Sequence, residues 1–195
     1  KFVNGLRYTD GKTMKIAEKV FTKINDSIVK SISIHHAKAI NANWQIKVKQ
    51  KSKELGLVGD IIGIDAAKLR SLIDSSFIPV ISPLGKDAKG QMHNINADTV
   101  ASHAAVALKA EKLTILTNVD GVMLSNKIIT HLNFATAKQA IKSGSISKGM
   151  IPKVEACIYA VRNKCPKAHL INGLTPHSLL LEIFTDEGVG TEIVQ

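Results

Sequence analysis

Apolar residues recur along this chain in two rhythms: short β-branched runs bounded by turn residues, and longer stretches with one apolar face at helical spacing. After Thr9-Asp10-Gly11, the residues Met14, Ala17 and Phe21 fall on one helical face. A second helical stretch, Ile24 to Ile32, follows across Asn25-Asp26-Ser27, which reads either as a break or as the polar face of a continuous helix. Ala37-Lys38-Ala39-Ile40 and the alternating segment Gln45 to Lys51 read as strands, with Asn41-Ala42-Asn43 between them as a hairpin turn. Leu57 to Ile64 predicts another strand, and Asp65 caps a helix that turns Leu69, Leu72 and Ile73 inward. Phe77 to Pro83 is short, apolar and β-branched, a buried strand. Leu113 to Thr117 is a further strand, feeding the turn Asn118-Val119-Asp120-Gly121-Val122. A helix over Ala135 to Ile141 stops at Gly144, where a left-handed residue costs nothing. Pro152 opens a helix with Val154, Cys157, Ile158 and Val161 on one face; Leu170-Ile171 is a strand, and Thr175-Pro176 starts a last helix over Leu179 to Phe184. Strands alternating with helices predict an α/β fold, an open, mainly parallel sheet sandwiched between helices. The polar step Lys109-Ala110-Glu111-Lys112 is the expected junction between two lobes, 1–110 and 111–195.

The centre of the pattern is His93-Asn94-Ile95-Asn96-Ala97-Asp98-Thr99-Val100, directly before the alanine-rich run Ala101 to Leu108. Asn96 is placed to cap that helix, and Asp98 falls in its first turn, where the positive helix end favours a carboxylate. A strand, a polar turn and a helix N-terminus form the place where open α/β sheets keep anion and nucleotide chemistry. Taken alone, the same spacing also describes an ordinary capped core helix.

Composition narrows the classes. At 195 residues the chain can bury one large core or two small ones. No apolar run approaches the ~20 residues of a membrane span, so no membrane partner is expected. Lys1-Phe2-Val3-Asn4-Gly5 is no signal peptide and lacks an initiator Met, so the sequence is expected to begin inside a longer protein. Cys157 and Cys165 have no metal-ligand spacing and fit a reduced compartment; no protein-held metal site is expected. The net charge of +10 raises nucleic acid as a partner, yet the lysines are scattered and only 4% of residues are aromatic. Lys47, Lys49, Lys51 and Lys53 alternate along one strand as a solvated face, so no nucleic acid is expected.

Several motifs then add up. Phe2-Val3-Asn4-Gly5-Leu6-Arg7, Asn94-Ile95-Asn96-Ala97-Asp98, Gly149-Met150-Ile151-Pro152-Lys153-Val154-Glu155-Ala156, and the ending Pro176 to Glu182 with Phe184 to Thr191 stand in that order along the whole chain. Together they resemble the acetylglutamate kinases of the amino-acid kinase family, in particular the arginine-sensitive branch. The resemblance implies the family's three-layer αβα fold. It also implies phosphorylation of the side-chain carboxylate of N-acetyl-L-glutamate by ATP with Mg2+, the second step of ornithine and arginine synthesis, in the cytoplasm or a plastid stroma. Such a reaction needs no general base, because the nucleophile is already an anion; the difficulty is bringing two anions together.

Residue by residue, Arg7 matches the arginine that grips the substrate's α-carboxylate, a task suited to a bidentate guanidinium, and Asn94 matches the asparagine sharing that contact. Asp98 matches the carboxylate that orients the active-site lysines, and Lys153 the lysine that stabilises charge on the moving phosphoryl group. Asn118, Val119, Asp120, Gly121, Val122 and Met123 match the nucleotide-binding turn, with Ser145, Ile146 and Ser147 beside the adenine. His169, Glu182 and Gly188 match positions that bind the inhibitor L-arginine in the usually hexameric branch. A homo-oligomer is implied, a dimer, or a hexamer where the N-terminal helix exists. So, in plastids and cyanobacteria, is a nitrogen-signalling PII protein as partner.

The chain also departs from the family. The segment that normally precedes Phe2-Val3-Asn4-Gly5, with a first catalytic lysine, phosphate-cradling glycine turns and the hexamer-building helix, has no counterpart in residues 1–195. Asn118 stands where an aspartate is usual, Lys148 where a glycine is, and Asn172 and Leu174 where an aspartate and an arginine are common. Asn41-Ala42-Asn43-Trp44 replaces a glycine- and serine-rich hairpin. Three functions therefore compete: an acetylglutamate kinase seen without its first segment, a catalytically silent kinase-like regulatory or effector-binding subunit, and a basic nucleic-acid module with only net charge behind it. Within the kinases, Arg7 and the Asn-Ile-Asn-Ala-Asp run favour acetylglutamate over aspartate, glutamate or aminoadipate derivatives.

Overall fold

The computed structural model describes residues 2–3, 6–124, 127–146, 149–185 and 188–194. The chain forms two compact units, 1–100 and 101–195. The division falls inside a helix, ahead of the polar step Lys109–Lys112.

The first unit opens with the short antiparallel pair β1 (Phe2–Val3) and β2 (Leu6–Arg7). Helix α1 (Gly11–Ile34) follows, its N-terminus capped by Asp10, whose Oδ1 accepts from Thr13 N at 2.7 Å. It is one continuous helix, so Asn25-Asp26-Ser27 is not a break. Asn25 is buried against the body of the unit, where its Nδ2 donates to the Val80 carbonyl at 3.0 Å and lies 3.2 Å from both Asn43 Oδ1 and Ser82 Oγ.

Next come β3 (Lys38–Asn41), β4 (Ile46–Gln50), β5 (Gly59–Ile64), α2 (Ala66–Asp74), β6 (Phe77–Val80), β7 (Leu84–Lys86), β8 (Met92–Asn94) and α3 (Ala97–Ala107), which runs across the division. The expected hairpin at Asn41-Ala42-Asn43 does not form. β3 pairs in parallel with β6, while β4 lies between antiparallel β5 and parallel β7. The asparagines instead lace a crossover: Asn41 Oδ1 accepts from Asn43 N at 3.1 Å, and Ala42 N donates to the Val80 carbonyl at 2.9 Å. Asp65 caps α2 through Lys68 N at 3.1 Å, and Leu69 is buried, but Ile73 turns to the surface. Ile46, Val48, Ile95 and Val100 form a core cluster of this unit.

The second unit contains β9 (Lys112–Thr117), β10 (Met123–Leu124), β11 (Lys127–Ile128), β12 (His131–Asn133), α4 (Phe134–Lys142), α5 (Ile151–Arg162), β13 (Lys167–Asn172), α6 (Ser178–Phe184) and β14 (Thr191–Val194). β9 and β13 are parallel over their full length. β14, which no sequence signal marked, inserts between β13 and β12, antiparallel to the first and parallel to the second. The α/β class is as expected, with both four-stranded sheets mixed. Asn133 caps α4 through Thr136 N at 2.9 Å, and Gly144, with φ +74°, follows its C-terminus. The buried side of α5 (Val154, Ala156, Cys157, Ala160, Val161) packs into the core with Leu113, Ile115, Leu132, Leu170 and Ile193. Cys157 and Cys165 are both free thiols. Among the described residues no helix is long and apolar enough to cross a membrane.

Candidate functional site

In the first unit, Arg7 lies at the end of β2 with an exposed side chain. Asn94 ends β8 instead of sitting in a turn, because a hairpin separates it from β6. Asp87 builds that hairpin: its Oδ1 accepts from Lys89 N at 2.8 Å and Gln91 N at 2.9 Å, while its Oδ2 lies 3.2 Å from His93 Nε2. Two residues on, Asn96 caps α3 as its position predicts, accepting from Thr99 N at 3.0 Å, and Asp98 occupies the first turn, half-buried. The expected capped helix start is therefore present, reached through a hairpin that the apolar pattern did not reveal. Arg7 and Asn94 are brought together by Thr9, a residue sequence reasoning passed over. Its hydroxyl donates to the Arg7 carbonyl at 3.1 Å and accepts from Asn94 Nδ2 at 3.3 Å.

In the second unit one cavity of about 320 Å³ gathers Asn118, Val119, Gly121, Val122, Met123, Ser145, Ile146 and Lys153, residues far apart in sequence. The turn after β9 is fixed from outside. Gly121 has φ +155°, and a Cβ there would come within 2.7 Å of Thr191 Oγ1, which itself accepts from Val122 N at 2.8 Å. Ser145 and Ile146 are held where the chain leaves α4, both backbone N–H groups donating to the Ala140 carbonyl. Lys153 stands in the first turn of α5 beside the helix's positive end, with Pro152 ahead of it. Two sources of positive potential thus meet at one wall, an arrangement suited to an anion. Thr117, Gly149 and Met150 also line this cavity. Asp120 departs from its expected place: its side chain accepts from Asn172 Nδ2 at 2.7 Å and faces a second cavity, drawn there by the neighbouring amide. Ser147 and Lys148 lie outside the described residues.

That second cavity, about 570 Å³, contains all three expected effector positions, His169, Glu182 and Gly188. The Glu182 side chain is only 1% exposed and is saturated: Oε1 meets Lys112 Nζ at 2.8 Å and His169 Nδ1 at 2.5 Å, and Oε2 accepts from Val189 N at 3.1 Å. Burial pushes its pKa up, but the Lys112, Val189 and His169 contacts outweigh that and leave it below the ordinary carboxylate value. The second ring nitrogen of His169 lies 3.1 Å from Glu192 Oε1. Burial, joined by the Lys112 ammonium, holds the His169 imidazole below its ordinary value against the pull of both carboxylates. Among the described residues no three His, Cys, Asp or Glu side chains converge on a metal position.

The model of the "Amino acid kinase family" matches residues 4–172. The acetylglutamate kinase of Methanocaldococcus jannaschii is 43% identical over an alignment covering all of this chain and 72% of that protein. That of Desulforamulus reducens is 40% identical with the same two coverages. Among solved structures, smu.665 from Streptococcus mutans UA159 superposes with a TM-score of 0.87 at 26% identity, over all of this chain and 76% of that one.

Proposed function

We propose, from the premise that this chain belongs to the amino acid kinase family, that it is part of an acetylglutamate kinase, which moves the γ-phosphoryl group of ATP onto the side-chain carboxylate of N-acetyl-L-glutamate in arginine biosynthesis. The observation that carries this reading is the cavity joining Lys153 to the turn after β9 and to Ser145-Ile146. An ammonium beside a helix N-terminus, facing a glycine-containing turn, suits a polyphosphate. Similarity to acetylglutamate kinases over the whole chain supplies the acceptor.

In this reading residues 1–110 hold the acetylated substrate through Arg7 and Asn94, and 111–195 hold the nucleotide through Asn118, Val119, Gly121, Val122, Met123, Ser145 and Ile146. Lys153 stabilises the charge spreading over the transferred group, and Asp98 takes the part of the family's orienting carboxylate. Magnesium would enter on the nucleotide's own phosphates, since this ion keeps several waters and takes few protein ligands. The cavity that contains His169, Glu182 and Gly188 takes L-arginine, whose guanidinium replaces the Lys112 ammonium on the buried Glu182 carboxylate. The protein works in the cytoplasm or a plastid stroma as a homo-oligomer. Support for self-association comes from α1, where Ile16, Val20, Ile24 and Ile28 form an exposed, uncharged row at four-residue spacing.

The test is the full-length protein incubated with ATP, magnesium and N-acetyl-L-glutamate, with hydroxylamine present to trap an acyl phosphate as its hydroxamate. Acetylglutamate-dependent ADP and hydroxamate are expected. Product with aspartate or glutamate but not with acetylglutamate would move the protein to a sister kinase, and no phosphoryl transfer to any of them would overturn the reading.

A further inference from the structure

Thr9 is fully buried, and its backbone is fixed without help from its side chain. Its N–H donates to the Leu55 carbonyl at 3.1 Å, and its own carbonyl accepts from Leu57 N at 2.7 Å. Between those two residues Gly56 turns with φ +68°, and a Cβ there would lie 2.3 Å from the Thr9 carbonyl oxygen, so the approach requires glycine. Leu57 in turn accepts from Asn94 N at 2.9 Å. Three separate stretches, ending at residues 9, 57 and 94, are therefore laced by main chain alone.

The Thr9 hydroxyl is left with a separate task. A hydroxyl is one donor and two acceptors. Here the donor goes to the Arg7 carbonyl at 3.1 Å, and one acceptor takes a proton of Asn94 Nδ2 at 3.3 Å. The second contact orients a carboxamide whose side chain, among the described residues, makes no other hydrogen bond and is half-buried. Its Oδ1 and remaining N–H stay available to a ligand. The first contact fixes the main chain that carries Arg7.

We infer that Thr9 is a positioning residue: its hydroxyl sets Arg7 and Asn94 at one spacing, so that a guanidinium and a carboxamide address the same carboxylate-bearing amino-acid derivative. This rests on the proposed function, which makes those two residues the substrate contacts. A ligand held by two groups at a set spacing loses affinity when either swings free, because the ordering cost returns to the binding step.

The experiment compares Thr9→Val, which keeps the shape and removes the hydroxyl, with Thr9→Ser, which keeps the hydroxyl, in the full-length protein. Thr9→Val is expected to raise KM for N-acetyl-L-glutamate about five- to tenfold, with KM for ATP unchanged. Thr9→Ser should stay within about twofold. In an Asn94→Ala background Thr9→Val should have a much smaller effect, since the group it orients is gone. An unchanged KM for acetylglutamate in Thr9→Val, an equal rise in both KM values, or full additivity with Asn94→Ala would each overturn the inference. Wild-type protein that does not phosphorylate acetylglutamate would instead remove the functional reading, and this inference with it.

Discussion

At the scale of single residues, Lys153 stands at the start of α5 and lines the cavity formed with the turn after β9. The first turn of α5 carries positive partial charge, which disfavours an ammonium until an anion lies between them. On the proposed function, replacing Lys153 with alanine removes one electrostatic donor to the moving phosphoryl group, and a drop in turnover of about 100- to 1,000-fold is expected from steady-state kinetics. Turnover within a factor of three of wild type would take Lys153 out of that role. Glu182 gives a prediction in pH. Its folded pKa lies below the ordinary value of 4.5, so its contacts with Lys112, Val189 and His169 stabilise the fold above that pH and are lost as pH falls through the folded pKa. Thermal melts of wild type and Glu182→Gln should therefore differ by a constant margin at neutral pH, and the margin should close below about pH 4.5. A gap that persists unchanged to pH 3 would mean that the charge of Glu182 contributes nothing.

At the scale of elements, local chemistry was readable and pairing was not. Asp65, Asn96, Pro152 and Gly144 all mark helix ends where their chemistry predicts, because a cap is decided within one turn of chain. Asn96→Ala should cost about 1 kcal/mol in denaturant unfolding, the usual worth of such a cap, and no change would show that the Thr99 N–H finds another partner. Asn25→Ala should cost more, about 1–3 kcal/mol, since it removes the hydrogen bonds to Val80, Asn43 and Ser82 and leaves a cavity inside the first unit. Nothing near Asn25 in sequence distinguishes that buried role from a solvated polar face, which is why the stretch read equally well as a break. The hairpin at Asn41–Asn43 failed for a related reason. Two neighbouring strands with a turn-like link normally pair, but β3 and β6 find each other across α2, and that choice is made by distant residues. β7, β8 and β14 are three or four residues long, too short to show a period. The candidate site divides the same way: the turn after β9 lies along one stretch and was legible as a turn, whereas the contacts of Thr9 with Asn94, of Gly56 with Thr9 and of Thr191 with Val122 join residues far apart along the chain.

At the scale of the molecule, charge restricts how copies of this chain can meet. With a net charge of +10 two copies repel at long range, and lysines occur along most of the surface. One row of helix α1, between its exposed lysines, carries no charge. The helix's 24 residues make a rod about 36 Å long, and Ile16, Val20, Ile24 and Ile28 are 65%, 47%, 48% and 43% exposed along that uncharged row. Met14 and Asn25, on a different face, are the buried residues that hold the helix to its own unit, so the exposed row is spare to the fold. A second copy of the same helix, lying alongside, matches that row in length and lack of charge, and a two-fold pairing would satisfy both copies at once. Val20→Asp combined with Ile24→Asp should therefore shift the protein to monomer in sedimentation velocity, with its melting curve lowered only by the lost association. Because the self-repulsion is screened by salt, association of the wild type should tighten between 0.05 and 0.5 M salt, roughly a threefold change in Debye length. A wild-type protein that stays monomeric at tens of micromolar, or a double variant that sediments like it, would leave the row on α1 to some other partner.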